Sequence, residues 1–287
     1  MAKDTFFHKK ATLNAGGKLI DLGTPKVMGI INLTPDSFYA GSRKPTIADA
    51  LQQAEKMLTE GATFLDLGAY SSRPGADDIS VNEETRRLLP VVEAIAENFP
   101  DAILSVDTFR AQVAEAAVKA GAHIINDVSG GQLDPDMFAT VARLKVPYVL
   151  MHLKGNPKTM NQLAVYDDVF NEVFDYFTER YHQLKQLGIT DVIIDPGFGF
   201  GKKPEHGYAL LNRLDEFNTL GLPILAGVSR KKMIYSLLGV AADDALNGTI
   251  VLNTIALMKG ANILRVHDVK EAMEAVRLVA ALSGCSS

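Results

Sequence analysis

Short apolar runs rich in β-branched residues alternate along this chain with longer stretches in which apolar side chains recur every three or four positions. Residues 27–31, 63–67, 103–106, 123–125, 146–151, 192–194, 223–227 and 262–266 form the runs. Each has the length of a strand, is bounded by turn residues and is mostly apolar at successive positions, the pattern of a strand covered on both faces. Between them helical spacing is carried by Ile47, Leu51, Ala54 and Leu58, then by Leu88, Val92, Ile95 and Phe99, then by Val113, Ala116, Ala117 and Ala120. Further helices are predicted over 136–144, from Val169 through Tyr181, over 210–217, twice between Ser229 and Lys259, and over 269–282. Thr46 is placed to cap the first helix. Ser80 with Glu83 makes a capping box for the second, in which Pro90 predicts a kink.

The helix-to-strand joints repeat: Gly61-Ala62, Gly121-Ala122 and Gly260-Ala261 each lead straight into an apolar run. Strands alternating with helices predict a parallel sheet. Eight such units fit a closed α/β structure, the (β/α)8 TIM barrel, better than the alternative of a doubly wound open sheet. Residues 13–22, with Gly16-Gly17 at the turn, read as a hairpin ahead of the first barrel strand. The expected organisation is an N-terminal hairpin segment over 1–25 lying across the barrel's bottom, one barrel over 26–282, and a polar tail over 283–287.

Composition narrows the function. No apolar run reaches membrane-spanning length and the first ten residues have no signal-peptide core, so a soluble, cytoplasmic protein without a membrane partner is expected. The single cysteine, Cys285, excludes an internal disulfide and a cysteine metal site. A net charge of −5 argues against a nucleic-acid surface, so an anionic substrate would need a local cluster of cations.

The residues at or just after the strands supply such a cluster and more. They are Asn32, Asp66, Asp107, Asn126, His152, Asp195, Ser229, Arg265 and His267, all polar, and in a barrel they converge on the face where active sites lie. Asp66 and Ser229 are equally well read as caps of the helices that follow. Two connections on this face, 32–45 and 68–82, exceed the usual length and are expected to be functional loops. The stretch Asp195-Pro-Gly-Phe-Gly-Phe-Gly-Lys202 ends a strand with a carboxylate and follows it with glycines, two flat aromatic faces and a cation. Lys202, Lys231, Arg265 and His267 together suggest an anionic leaving group such as a phosphate.

Seven motifs, Gly29-Ile-Ile-Asn-Leu-Thr-Pro-Asp-Ser-Phe38, Ser72-Arg-Pro-Gly75, Ser105-Val-Asp-Thr108, Ile125-Asn-Asp127, Asp195-Pro-Gly-Phe-Gly-Phe-Gly-Lys202, Ser229-Arg-Lys231 and Arg265-Val-His-Asp268, together resemble the dihydropteroate synthase family. That resemblance spans nearly the whole chain. It implies an enzyme of folate biosynthesis that joins p-aminobenzoate to 6-hydroxymethyl-7,8-dihydropterin pyrophosphate and releases pyrophosphate, with Mg²⁺ as cofactor and a homodimer as the assembly. Carried over by position, it implies pterin contacts from Asp107, Asn126, Asp195 and Lys231. It implies pyrophosphate contacts from Asn32, Arg265 and His267, with Asn32 also on the metal. Asn32, Lys231, Arg265 and His267 are the residues it places in catalysis. It implies a p-aminobenzoate site at Ser72, Arg73, Pro74, Phe198, Lys231 and Lys232. A pterin-binding methyltransferase shares the barrel and the Asp107, Asn126 and Asp195 type of contact but has no need of Arg73 or the Arg265–His267 pair.

Two departures from the family pattern stand out. Tyr70 replaces its usual glutamate, and Lys232 stands where serine is common. With Ser229 read as a cap, Arg230, Lys231 and Lys232 would crowd a helix start where cations are disfavoured.

Overall fold

A computed structural model describes residues 12–34, 46–71 and 78–284 of the chain. The first hairpin pairs β1 (Thr12–Ala15) with β2 (Lys18–Asp21), and Gly16 and Gly17 make its turn with left-handed φ values of 61° and 82°. Eight parallel strands follow: β3 (Lys26–Asn32), β4 (Phe64–Gly68), β5 (Ile103–Asp107), β6 (Ile124–Asp127), β7 (Tyr148–Met151), β8 (Val192–Asp195), β9 (Leu225–Ala226) and β10 (Ile263–Val266). Their order is β8-β7-β6-β5-β4-β3-β10-β9. The remaining gap between β8 and β9 is bridged at Ile194–Ile224, with the Ile194 N–H donating to the Pro223 carbonyl at 2.9 Å. The sheet therefore curls into the expected barrel.

Helices return the chain from each strand to the next: α1 (Ile47–Thr59), α2 (Val81–Asn98), α3 (Ala111–Lys119), α4 (Met137–Leu144), α5 (Val169–Gln186), α6 (Pro204–Asn212), α7 (Lys232–Leu238), α8 (Leu246–Met258) and α9 (Val269–Gly284). The capping box belongs to α1, where Thr46 and Asp49 bond reciprocally. At α2, Ser80 Oγ accepts the Glu83 N–H at 3.1 Å, but the Glu83 carboxylate turns away to Arg86 and Arg87, so only half of that box forms. α2 runs through Pro90 as one element. The helix expected over 210–217 begins earlier, at Pro204, and ends in a 3-10 turn over Leu214–Leu220. The apolar spacing passed over its polar first turn, where proline is well suited.

Two layers inside the barrel position the site. Met28, Phe64, Ile103, Ile124, Val149, Ile193, Leu225 and Ile263, one from each strand, pack with Leu13, Ala15, Ile20 and Leu22 of the hairpin into an apolar core of their own. The hairpin thus closes the barrel bottom. Because strand side chains alternate, the residues two further along share the same inward face: Ile30, Asp66, Ser105, Asn126, Met151, Asp195, Gly227 and Arg265. Five of these eight are polar, directly above a floor that is wholly apolar.

Candidate active site

Asp66 is the centre of that polar layer. It is 0% exposed, and its Oδ2 accepts from Asn126 Nδ2 at 2.9 Å and from Arg265 Nε at 2.7 Å. Arg265 Nη2 donates at 2.8 Å to Asp107 Oδ2, so one guanidinium joins two carboxylates. Burial works against the Arg265 charge, but Asp66 and Asp107 more than offset it and keep the group protonated above the ordinary arginine range. Burial, reinforced by Asp66 and only partly countered by Arg265, pushes the Asp107 carboxyl up to about 7. Asp195, also raised by burial, accepts the Gly197 N–H at 2.8 Å. The reading of Asp66 as a helix cap is corrected here: both of its side-chain bonds go across the barrel.

At the rim, Ser229 is likewise no cap. Its hydroxyl accepts the His267 backbone N–H at 3.2 Å and lies 2.9 Å from His267 Nδ1. With the hydroxyl hydrogen directed at Nδ1, the ring proton is assigned to Nε2, leaving a neutral donor. Burial first, and then Arg265, lowers the His267 pKa to about 4, in keeping with that neutral form. Arg230 has a left-handed φ of 52° and binds Asp268 through two bonds of 2.9 Å, and Lys231, not Ser229, occupies the cap position of α7. Of the three basic residues only Lys232 stands in the helix, exposed at its first position. The expected crowding of charge is absent because the chain turns at Arg230 before the helix starts.

The glycine-rich stretch after β8 corrects two expectations. Phe198 is 0% exposed and packs in the core between strands and helices, while Phe200 lines the cavity. Regular alternation would put residues two apart on one side, but the left-handed φ values of 69°, 77° and 59° at Gly197, Gly199 and Gly201 break it, and only the second ring reaches the ligand side. Lys231 Nζ lies 4.3 Å over the Phe200 ring and donates to the Phe198 carbonyl, and burial lowers its pKa to about 8. Lys202 is not an open cation. It is buried, and its Nζ meets His152 Nδ1 at 2.8 Å and the carbonyls of Phe200 and His152 at 3.1 and 3.2 Å, tying the loop to the end of β7. A side chain at Gly197 would meet the His152 carbonyl oxygen at 2.3 Å, so this crossing requires glycine.

Asn32, Asp107, Lys231, Lys232, Arg265 and His267 are among the residues that line a cavity of about 800 Å³, whereas Asn126 and Asp195 are buried and do not belong to its lining. Met160, Asn161 and Ala164 form part of its wall. They come from residues 152–168, a third long connection that sequence reasoning missed although its length matches the two it noted. Ser72, Arg73 and Pro74 lie outside the described residues. Just ahead of them in sequence, the ring of Tyr70 meets Phe109 edge-on at 4.9 Å and sits under the Arg110 guanidinium at 5.3 Å. Arg110 also donates to Glu84 and to the Ile79 carbonyl, each at 2.7 Å, so the tyrosine has an aromatic and cationic setting in place of a carboxylate's.

A family model described as pterin binding enzyme matches residues 28–267. The chain belongs to the pterin-binding enzyme family. Within that family it is 48% identical over 271 residues to the dihydropteroate synthase of Escherichia coli K12, covering 94% of this chain and 95% of that one. Its fold matches the dihydropteroate synthase of Yersinia pestis in complex with a sulfonamide drug at a TM-score of 0.90, with 43% identity, 95% of this chain and 99% of the other. A Xanthomonas albilineans dihydropteroate synthase with 4-aminobenzoic acid gives a TM-score of 0.89 and 40% identity, covering 95% and 98%. The resemblance carried by the seven motifs is thereby confirmed over nearly the full length.

Proposed function

We propose that this chain joins p-aminobenzoate to 6-hydroxymethyl-7,8-dihydropterin pyrophosphate, giving 7,8-dihydropteroate and pyrophosphate. The observation that carries the reading is one guanidinium, that of Arg265, bridging the carboxylates of Asp66 and Asp107, with the amide of Asn126 on the same Asp66 oxygen. Asp107, Asn126 and Asp195 suit the N–H-rich edge of an aminopyrimidine, which a carboxylate accepts in pairs, and Lys231 suits the ring carbonyl. Arg265, His267 and Asn32 suit the pyrophosphate. The flat face of Phe200 suits the arylamine ring, in place of the Phe198 face expected before, while Ser72, Arg73, Pro74 and Lys232 remain the proposed surroundings of its carboxylate.

Turnover proceeds by loss of pyrophosphate ahead of attack. Arg265 and the Nε2–H of His267 gain most as charge grows on the leaving group, and the carboxylates face the electron-rich pterin as its methylene becomes cationic. The arylamine is neutral at pH 7 and needs no base to attack; the proton it sheds goes to pyrophosphate or water. Met160, Phe200 and Ala164 exclude water that would compete for the cation.

Among the described residues no group of three or more His, Cys, Asp or Glu side chains could hold a metal. Mg²⁺ fits all the same through Asn32, because this ion is commonly held by one protein oxygen with phosphate oxygens and water completing its shell. When bound, it supplies charge to the departing pyrophosphate. A homodimer is the proposed assembly and the cytoplasm the proposed location; no helix among the described residues is long and apolar enough to cross a membrane.

Asp195→Asn tests the pterin assignment, since it keeps an acceptor for the Gly197 N–H while removing the paired, charged one. Calorimetric affinity for the dihydropterin pyrophosphate should fall about tenfold or more with thermal stability retained. Unchanged affinity would reject the assignment.

A further inference from the structure

Asp66 does not line the cavity, yet both halves of the proposed substrate site reach it through one bond. We propose that Asp66 is a positioning residue that locks the pterin-binding amide of Asn126 and the leaving-group cation of Arg265 into one unit through a single shared carboxylate oxygen. The inference rests on reading Asn126 as a pterin contact and Arg265 as a pyrophosphate contact.

The chemistry of the donors and acceptors gives the lock its content. An ionised carboxylate only accepts, so Asn126 must turn Nδ2 toward Asp66, since the reversed amide would set two acceptors face to face in a buried site. Its second N–H and its Oδ1 are then left as a donor–acceptor pair, which complements the ring nitrogen and amino group of a 2-aminopyrimidine. On the other side, a planar guanidinium held at Nε by Asp66 and at Nη2 by Asp107 has its plane set by two points. The rest of its N–H groups remain for an anion. Asp66 Oδ1 has no hydrogen-bond partner among the described residues, so everything this side chain positions passes through Oδ2. Asp66 also sits across from Ser105 in the β4–β5 register, one layer above the apolar floor, where it is fully buried.

Asp66→Asn keeps the shape and one acceptor but removes the charge. The expected result is a drop in kcat of about tenfold or more that shrinks to less than about twofold when the same change is made in an Arg265→Lys background, because the loss is transmitted through Arg265. Equal losses in the two backgrounds would give Asp66 a general structural role and overturn the proposal. A second measurement leaves Asp66 intact and decides the matter even where Asp66→Asn does not fold. In Asn126→Ala the shared oxygen loses one of its two donors, so the inhibition constant of pyrophosphate should shift about threefold or more although Asn126 does not contact it. An unchanged constant overturns the lock. Titrations of the parent protein with the pterin alcohol and with pyrophosphate separate the two ideas: binding of both with no effect of Asn126→Ala removes the lock alone, and binding of neither removes the underlying site assignment as well.

Discussion

Asp107 and Lys231, both proposed as pterin contacts, have displaced acidities, and the signs of the displacements give a pH profile. Burial raises Asp107 to about 7 and lowers Lys231 to about 8. Asp107 must be ionised to accept N–H donors and Lys231 must be protonated to donate, so kcat/KM for the pterin substrate should be bell-shaped, falling below pH about 7 and above about 8. Asp107→Asn should remove the acid limb along with most of the rate, and an acid limb unmoved in that variant would detach Asp107 from it. For folding the sign is reversed. A carboxyl raised from its ordinary 3.8 contributes stability that is fully present below that value and lost as pH rises through about 7. The polar character of these strand ends was legible from position alone, whereas Asp66 was not, because a residue beside a strand end can cap a helix or cross the barrel. Counting two residues on from each apolar floor residue would have placed Asp66 in one layer with Asn126 and Arg265.

Among the elements, α8 is apolar on both sides. Leu252, Ala256 and Leu257 are buried inward, while Val251, Ile255 and Met258 are 50%, 37% and 64% exposed outward. A helix apolar all round is one that something covers. Leu237 on α7 and Leu278 and Leu282 on α9 are exposed as well, on helices adjoining α8. This supports a second copy as the cover. Sedimentation should find a dimer for the parent chain and a monomer for Val251→Asp combined with Ile255→Asp, and a parent that sediments as a monomer at micromolar concentration would contradict the assembly. Element types were readable because floor, strand and helix periods differ. The starts of α6 and α7 were not: a polar first turn at Pro204 shows no apolar period, and the left-handed Arg230 is a non-glycine residue that carries no local sign of its conformation.

At the scale of the whole molecule, the barrel followed from the strand–helix repeat, and the hairpin found its place because four of its apolar residues complete the floor. What escaped was the joining of loops to layers. The Phe198 and Phe200 rings are two residues apart, and only the folded loop shows which of them reaches the cavity, just as only the fold brings Met160 from residues 152–168 to the same wall. One cavity is proposed to release pyrophosphate from the pterin and to deliver the methylene to an arylamine. The most direct test is pyrophosphate release from 6-hydroxymethyl-7,8-dihydropterin pyrophosphate, with Mg²⁺ present, measured before and after addition of p-aminobenzoate. Sustained release that begins with the arylamine and is matched by an equal amount of 7,8-dihydropteroate is the predicted result. Release at the same rate without the arylamine, or pyrophosphate formed with no dihydropteroate, would contradict it.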